Sequence, residues 1–259
     1  MRGMIGAVPT SLRPMSSLLR LRSLAAAVLP LLLPVLLVLV FAMHLRSLSQ
    51  FLDFRLVYVP TPPEVVVPWL IAHGGAPHPL LHDPHVIAYL ALPLFLATAL
   101  WLHRLSRLRR PVLSAVACAT TVVGTIYLGG LFGMWTAFYD GLSRVDARHV
   151  DGAIATFAAM SSPHGAFLLT TTLAKLAFAG LALQGLALWD RSARARAASL
   201  CIVTGSALFL AFWDMDNWML VGSVLLLLGI AASRSACDGL CSQGRRRNTS
   251  ALFKHPKDK

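Results

Sequence analysis

Residues 165–189 read GAFLLTTTLAKLAFAGLALQGLALW, an apolar run interrupted by one lysine, Lys175. A membrane-crossing helix needs about 20 largely apolar residues at 1.5 Å rise each, so this stretch is long enough to span a bilayer alone. Further runs over roughly 24–43, 86–103, 112–135, 197–213 and 217–233 approach the same length. The last two share the tight turn WDMDNW. With 56% hydrophobic and 13% charged residues over 259 positions and a mean hydropathy of +0.67, the chain is too apolar for an ordinary soluble domain. The expected fold is all-α: a polytopic integral membrane protein, a six-transmembrane-helix bundle over 24–233. Basic segments flank it at 1–23 and 234–259, the second read as a disordered tail.

The first run follows Arg2, Arg13, Arg20 and Arg22, as a signal peptide would. It is longer than the usual signal core of about 7–15 residues, and no small-x-small cleavage pattern follows in FAMHLRSL, so it reads as a retained span. Pro30 and Pro34 should bend it, which membrane helices tolerate where neighbours satisfy the freed carbonyls.

Charge sets the expected orientation. Of 23 lysines and arginines, only Arg46, Arg55, Arg144, Arg148 and Lys175 lie outside four segments: the N-terminal segment, HRLSRLRR, DRSARARA and the C-terminal tail. Cytoplasmic loops collect Lys and Arg, so six spans with both termini cytoplasmic satisfy every loop, and the location expected is a bacterial cytoplasmic membrane. Of 11 acids, only Asp190, Asp238 and Asp258 then lie inside. The net charge of +12 is read as this topology signal plus attraction to anionic lipid headgroups. It is not read as nucleic-acid binding, because the cations are spread over separate loops.

The cysteines form no disulfide framework: Cys118 and Cys201 belong to spans, and Cys237 and Cys241 fall on the reducing side. The long external connections are 44–85 and 136–164. In the first, the prolines of VPTPPEVVVPWLIAHGGAPHPLLHDPH argue for extended or turn structure over most of its length. In the second, Val150, Ile154 and Phe157 recur at helical spacing and suit a short interfacial helix. Gly129 with Gly133, and Ala166, Thr170 and Ala174, repeat every four residues and suit close helix contacts. No internal repeat points to an inverted-repeat transporter.

Lys175 is the chemically pointed residue. The other lysines, Lys254, Lys257 and Lys259, end the chain, and every remaining cation is an arginine. A charge at mid-bilayer costs about 2.5–3.5 kcal/mol on insertion scales and generally faces the bundle interior. A helical wheel puts His164, Leu168, Thr171, Thr172, Lys175 and Phe178 on one face, with Gln184 opposite. A lysine, unlike an arginine, can shed its proton when buried. Lys175, Thr171 and Thr172 are therefore the candidate intramembrane polar site, serving as proton carrier, anion contact or amine nucleophile. The structural alternative is a lysine that snorkels towards an interface.

A second candidate is metallic. His44, His73, His78, His82, His85, His149 and His164 gather at the outer side, and imidazole suits copper or zinc. The best set is Asp146, His149 and His164, the first two three residues apart and the third at the start of the fourth span. Followed by PHGAF, this set resembles the external metal site of the particulate methane and ammonia monooxygenases. The resemblance implies a metal held by those residues. It covers this short stretch only, the ligand spacings depart from the family's pattern, and WDMDNW replaces the acidic loop expected between the last two spans.

No P-loop, dinucleotide fingerprint, GxSxG or HExxH motif occurs, which argues against an enzyme of the soluble type. The expected function is a small carrier or accessory subunit with an outward-opening polar site. The competing expectations are a membrane metalloenzyme or redox subunit, and a structural subunit packed against other membrane subunits.

Overall fold

The computed structural model describes residues 13–45, 48–56, 62–73, 84–142, 144–160 and 166–252. Among them the regular structure is helical, with no strand. Helix α1 spans Arg13–His44, α2 Leu48–Leu52, α3 Pro63–His73, α4 Pro84–Leu90, α5 Leu92–Ser106 and α6 Pro111–Leu142. A 3-10 turn at Ala147–His149 leads into α7, Val150–Met160. Then follow α8 at Ala166–Ala174, α9 at Leu176–Ala187, α10 at Ala193–Ala211 and α11 at Asp216–Leu252.

Among the described residues four helices are long and apolar enough to cross a membrane: Pro111–Leu142, Phe167–Ala187, Ala193–Ala211 and Asp216–Arg234. The second joins α8 and α9 across Lys175, where amides still bond back across the junction, Lys175 N to Thr171 O at 3.2 Å and Ala179 N to Lys175 O at 3.0 Å. In α1 the segment Val28–His44 is a further apolar stretch among the described residues. The run read as a span over 86–103 is divided at Ala91 into α4 and α5.

Neighbouring helices close a ring: α1 packs on α11, α11 on α10, α10 on α9, α9 on α6, α6 on α5, and α5 on α1. Its centre is apolar, with Leu33, Phe95, Leu102, Leu128, Phe178, Leu181, Ile202, Phe209, Leu226 and Ile230 nearly or fully buried. Outward-facing Val112, Val116, Ile126, Leu169, Leu200 and Leu228 are exposed, the distribution expected of a bundle whose solvent is lipid.

Single glycines set the closest approaches. A Cβ on Gly124 would collide with the backbone of Leu176 and Ala177, and one on Gly180 with Thr121 and the Ala117 carbonyl. These contacts run α6 antiparallel to α9. Gly205 and Gly222 face each other's carbonyls, and Gly229 meets Ala198, which runs α10 antiparallel to α11. The expected pairs are looser: a Cβ on Gly129 would stand 3.1 Å from a Leu92 methyl and one on Gly133 3.8 Å from the Tyr89 ring.

Three boundaries differ from the sequence expectation. Pro63–His73 is helical, because Pro63 occupies the first turn, where no amide partner is needed, and the ring of Pro68 is exposed. Helix α1 starts at Arg13, ahead of the apolar run, and α11 continues to Leu252, into the segment read as a tail.

Candidate functional site

The two poles of the bundle carry different polar chemistry. At one, the α5–α6 and α9–α10 turns meet: Arg109 pairs with Asp190 at 3.0 Å, and Arg110 donates to the Leu186 carbonyl at 3.1 Å. Just inside lies a buried cluster in which Ser114 Oγ shares hydrogen bonds with His103 Nδ1 at 2.8 Å and Ser106 Oγ at 2.7 Å. Ser192 caps α10 by accepting from the Ala195 amide. We call this end the arginine pole.

At the opposite pole α1 ends beside the α10–α11 turn. His44 Nδ1 lies 2.9 Å from the Val40 carbonyl and 3.9 Å from an Asp216 carboxylate oxygen. Asn217 bonds the carbonyls of Gln50 and Asp53, and Trp218 Nε1 that of Arg55. WDMDNW is therefore a clamp on segment 48–56 as well as a hairpin tip. Asp214 adopts a φ of 67° there, a left-handed conformation that Asp tolerates better than most residues.

Lys175 lies between the poles. The Gly124–Ala177 and Gly130–Thr170 contacts place it level with Ile126, near the middle of α6. On the other side Phe178 stacks on Phe209 with centroids 4.0 Å apart and planes 6° from parallel. That puts Lys175 near the end of α10, because the α10–α11 hairpin stops short of the end of α6. The Lys175 ammonium reaches this hairpin tip and sits 5.5 Å from the centroid of the Trp213 ring. Trp213 in turn meets Phe178 edge-on at 6.1 Å, and Phe178 meets Phe95 perpendicularly at 5.5 Å. An aromatic column thus joins the cation to the core.

The level of Lys175 on α6 gives its distance from the arginine pole. The 32 residues of α6 run about 48 Å at 1.5 Å each, more than the roughly 30 Å of hydrocarbon. If the membrane begins just past the arginines before Pro111, Lys175 lies about 22 Å in by its level on α6, between mid-bilayer and the opposite face. Its side chain leans towards the N-terminus of its helix, as Cα–Cβ bonds do, and so towards that face. An indole face receives the charge. Among the described residues no carboxylate lies within 4.0 Å of the ammonium, whereas Arg55, Arg109, Arg144 and Arg148 each reach an aspartate at 2.8–3.0 Å.

The threonines divide. Thr172 is exposed. Thr171 Oγ1 is buried without a hydrogen-bond partner among the described residues, although Thr121, Thr125 and Ser223 each donate to the carbonyl four residues back. His164, the outer end of the expected stripe, lies outside the described residues.

Gln184, read as facing away from the lysine stripe, is fully buried and donates from Nε2 to the Ala99 carbonyl of α5 at 2.9 Å. Its Oε1 is buried without a partner among the described residues. This amide in an apolar helix was the sequence signal for an interhelical hydrogen bond. The acceptor, a backbone carbonyl, leaves no mark in the sequence.

The structure places Asp146 and His149 at the 3-10 turn before α7, both exposed. Asp146 caps the turn through the Arg148 amide at 3.0 Å and pairs with the Arg148 guanidinium at 2.8 Å. The side-chain bond from Arg148, helped by its amide, holds the Asp146 carboxyl below its ordinary range. Its charge thus has a structural partner. His164, the third expected ligand, lies outside the described residues, and among those described no group of three His, Cys, Asp or Glu side chains is placed to share a metal ion. No protein-family model, curated protein or solved structure matches the chain.

Proposed function

We propose that the chain crosses the membrane six times, with the arginine pole and both termini on the cytoplasmic side. In this reading α1 and the broken α4–α5 element join the four long apolar helices as spans. The protein serves as a small carrier, or as an accessory subunit of a larger membrane assembly, and takes a small anionic ligand from the outer side at Lys175. The observation that carries this reading is an ammonium group inside an apolar helix, held only by the face of Trp213 among the described residues. No carboxylate among those residues stands close enough to neutralise it. Thr171, one turn away, adds a hydroxyl with no acceptor among them.

A cation–π contact leaves the net positive charge in place, whereas a carboxylate would cancel it. An aromatic partner is therefore the one that keeps a half-buried lysine available to an anion. A ligand that binds the folded state alone raises its stability by RT ln(1 + [L]/Kd). Thermal unfolding of detergent-solubilised protein, titrated with sodium chloride, acetate and sulfate at matched ionic strength, tests the reading. The anion dependence of the midpoint should differ between wild type and Lys175→Met, the difference reporting binding at Lys175. Identical anion series in both proteins would contradict it.

A further inference from the structure

The two poles treat their arginines differently. Away from the arginine pole, Arg55 pairs with Asp53 at 2.8 Å, Arg144 with Asp140 at 2.9 Å and Arg148 with Asp146 at 2.8 Å. Each of these three arginines is neutralised by an acid within four residues. At the arginine pole the turns read HRLSRLRR and DRSARARA, with Asp190 as their one acid, and Arg109 takes it. Arg110 is tied to a neutral carbonyl. Arg104, Arg107, Arg191, Arg194 and Arg196 have no carboxylate within 4.0 Å among the described residues, and all five are exposed.

The bonds that use up Arg109 and Arg110 join the two turns to each other. The unspent cations on either side therefore belong to one surface. They also sit at one height: Arg104 is in the last turn of α5, while Arg194 and Arg196 are in the first turn of α10. Each flanks an apolar run. The N-terminal ends of α6 and α10 open at the same pole and add their positive dipole ends.

We infer that this two-turn arginine collar is a binding site for the phosphate of anionic phospholipid headgroups in the leaflet that surrounds it. The planar guanidinium binds phosphate oxygens in pairs, which an ammonium cannot do, and the collar contains arginine and no lysine. The site is separate from Lys175 and does not rest on the reading of that residue.

The test uses the full chain in zwitterionic detergent micelles, doped with phosphatidylglycerol or with phosphatidylcholine, and follows thermal unfolding. Soluble arms hold glycerol phosphate or inorganic phosphate at matched ionic strength. Phosphatidylglycerol should raise the midpoint, phosphatidylcholine should not, and the response should shrink with added salt. In Arg107→Gln/Arg191→Gln/Arg194→Gln, apparent affinity for phosphatidylglycerol should fall about fivefold per arginine removed. Arg144→Gln, at the other pole, should keep the wild-type response. Equal responses to the two lipids, or an undiminished response in the triple variant, overturn the inference. A soluble-phosphate response equal to that of the lipid overturns it as well, by assigning the collar to free phosphate. Should the triple variant not fold, the lipid comparison and salt titration on wild type decide alone, and a salt-independent response overturns the inference.

Discussion

The contact between Lys175 and Trp213 can be measured as a coupling energy. The ammonium stands 5.5 Å from the indole centroid, within the roughly 6 Å over which a cation is drawn to a ring, a contact worth about 0.5–1 kcal/mol when exposed and about 2 when desolvated. Placing the charge in the apolar helix costs about 2.5–3.5 kcal/mol at mid-bilayer, and less nearer an interface. The contact therefore offsets only part of the cost. Lys175→Met should raise the unfolding free energy by about 1 kcal/mol, and Trp213→Leu should lower it, because the edge contact with Phe178 is lost too. That second loss cancels in a double-mutant cycle, which should return a coupling of about 0.5–2 kcal/mol. The assay is reversible unfolding in mixed micelles titrated with sodium dodecyl sulfate and followed by circular dichroism. A coupling below about 0.3 kcal/mol, the ordinary error of additivity, would refute the contact. Net destabilisation by Lys175→Met would refute the claim that the charge is held at a cost.

Two further outcomes follow from packing and charge. Gly124→Ala sets a methyl against the Leu176–Ala177 backbone and should destabilise by about 1–3 kcal/mol, whereas Gly152→Ala meets nothing within 4 Å and should be neutral or stabilising by up to about 1 kcal/mol; the same unfolding assay compares them. Asp146 has its folded-state pKa lowered by Arg148, so its cap contributes fully above the ordinary carboxylate range and is lost as pH falls through the lowered value. The amide resonance of Arg148 should therefore hold steady from neutral pH into the ordinary carboxylate range and shift only below it, and a midpoint at or above the ordinary value would contradict the pairing.

What could be read in advance followed from single residues and local spacing. The apolar runs over 112–135, 165–189, 197–213 and 217–233 appear as the four membrane-length helices, because about 20 apolar residues have few other ways to satisfy their backbone. The partner of Lys175 was not legible. Trp213 lies in a distant turn and meets the ammonium because the α10–α11 hairpin is shorter than α6. Spacing of four along one helix flagged Gly129 and Gly133, yet the tightest contacts use one glycine against a neighbour's backbone, at Gly124 and Gly180. Such a contact depends on the register between two helices, which a single sequence does not fix. The pairing of Asp146 with Arg148 was not legible either, because an i,i+2 ion pair is a local choice that residue type alone does not disclose.

The central claim is that the Lys175 position opens to the outer side of the membrane. The most direct measurement places one cysteine there, Lys175→Cys, in a chain whose Cys118, Cys201, Cys237 and Cys241 are replaced by serine, and labels intact cells with a membrane-impermeant thiol reagent. Ala193→Cys at the exposed start of α10 marks the arginine pole. An outward-opening site predicts labelling at 175 from outside, slowed by the anion that stabilises the wild type, and labelling at 193 only after the membrane is breached. Labelling at 175 only after breaching, or at 193 in intact cells, would contradict it.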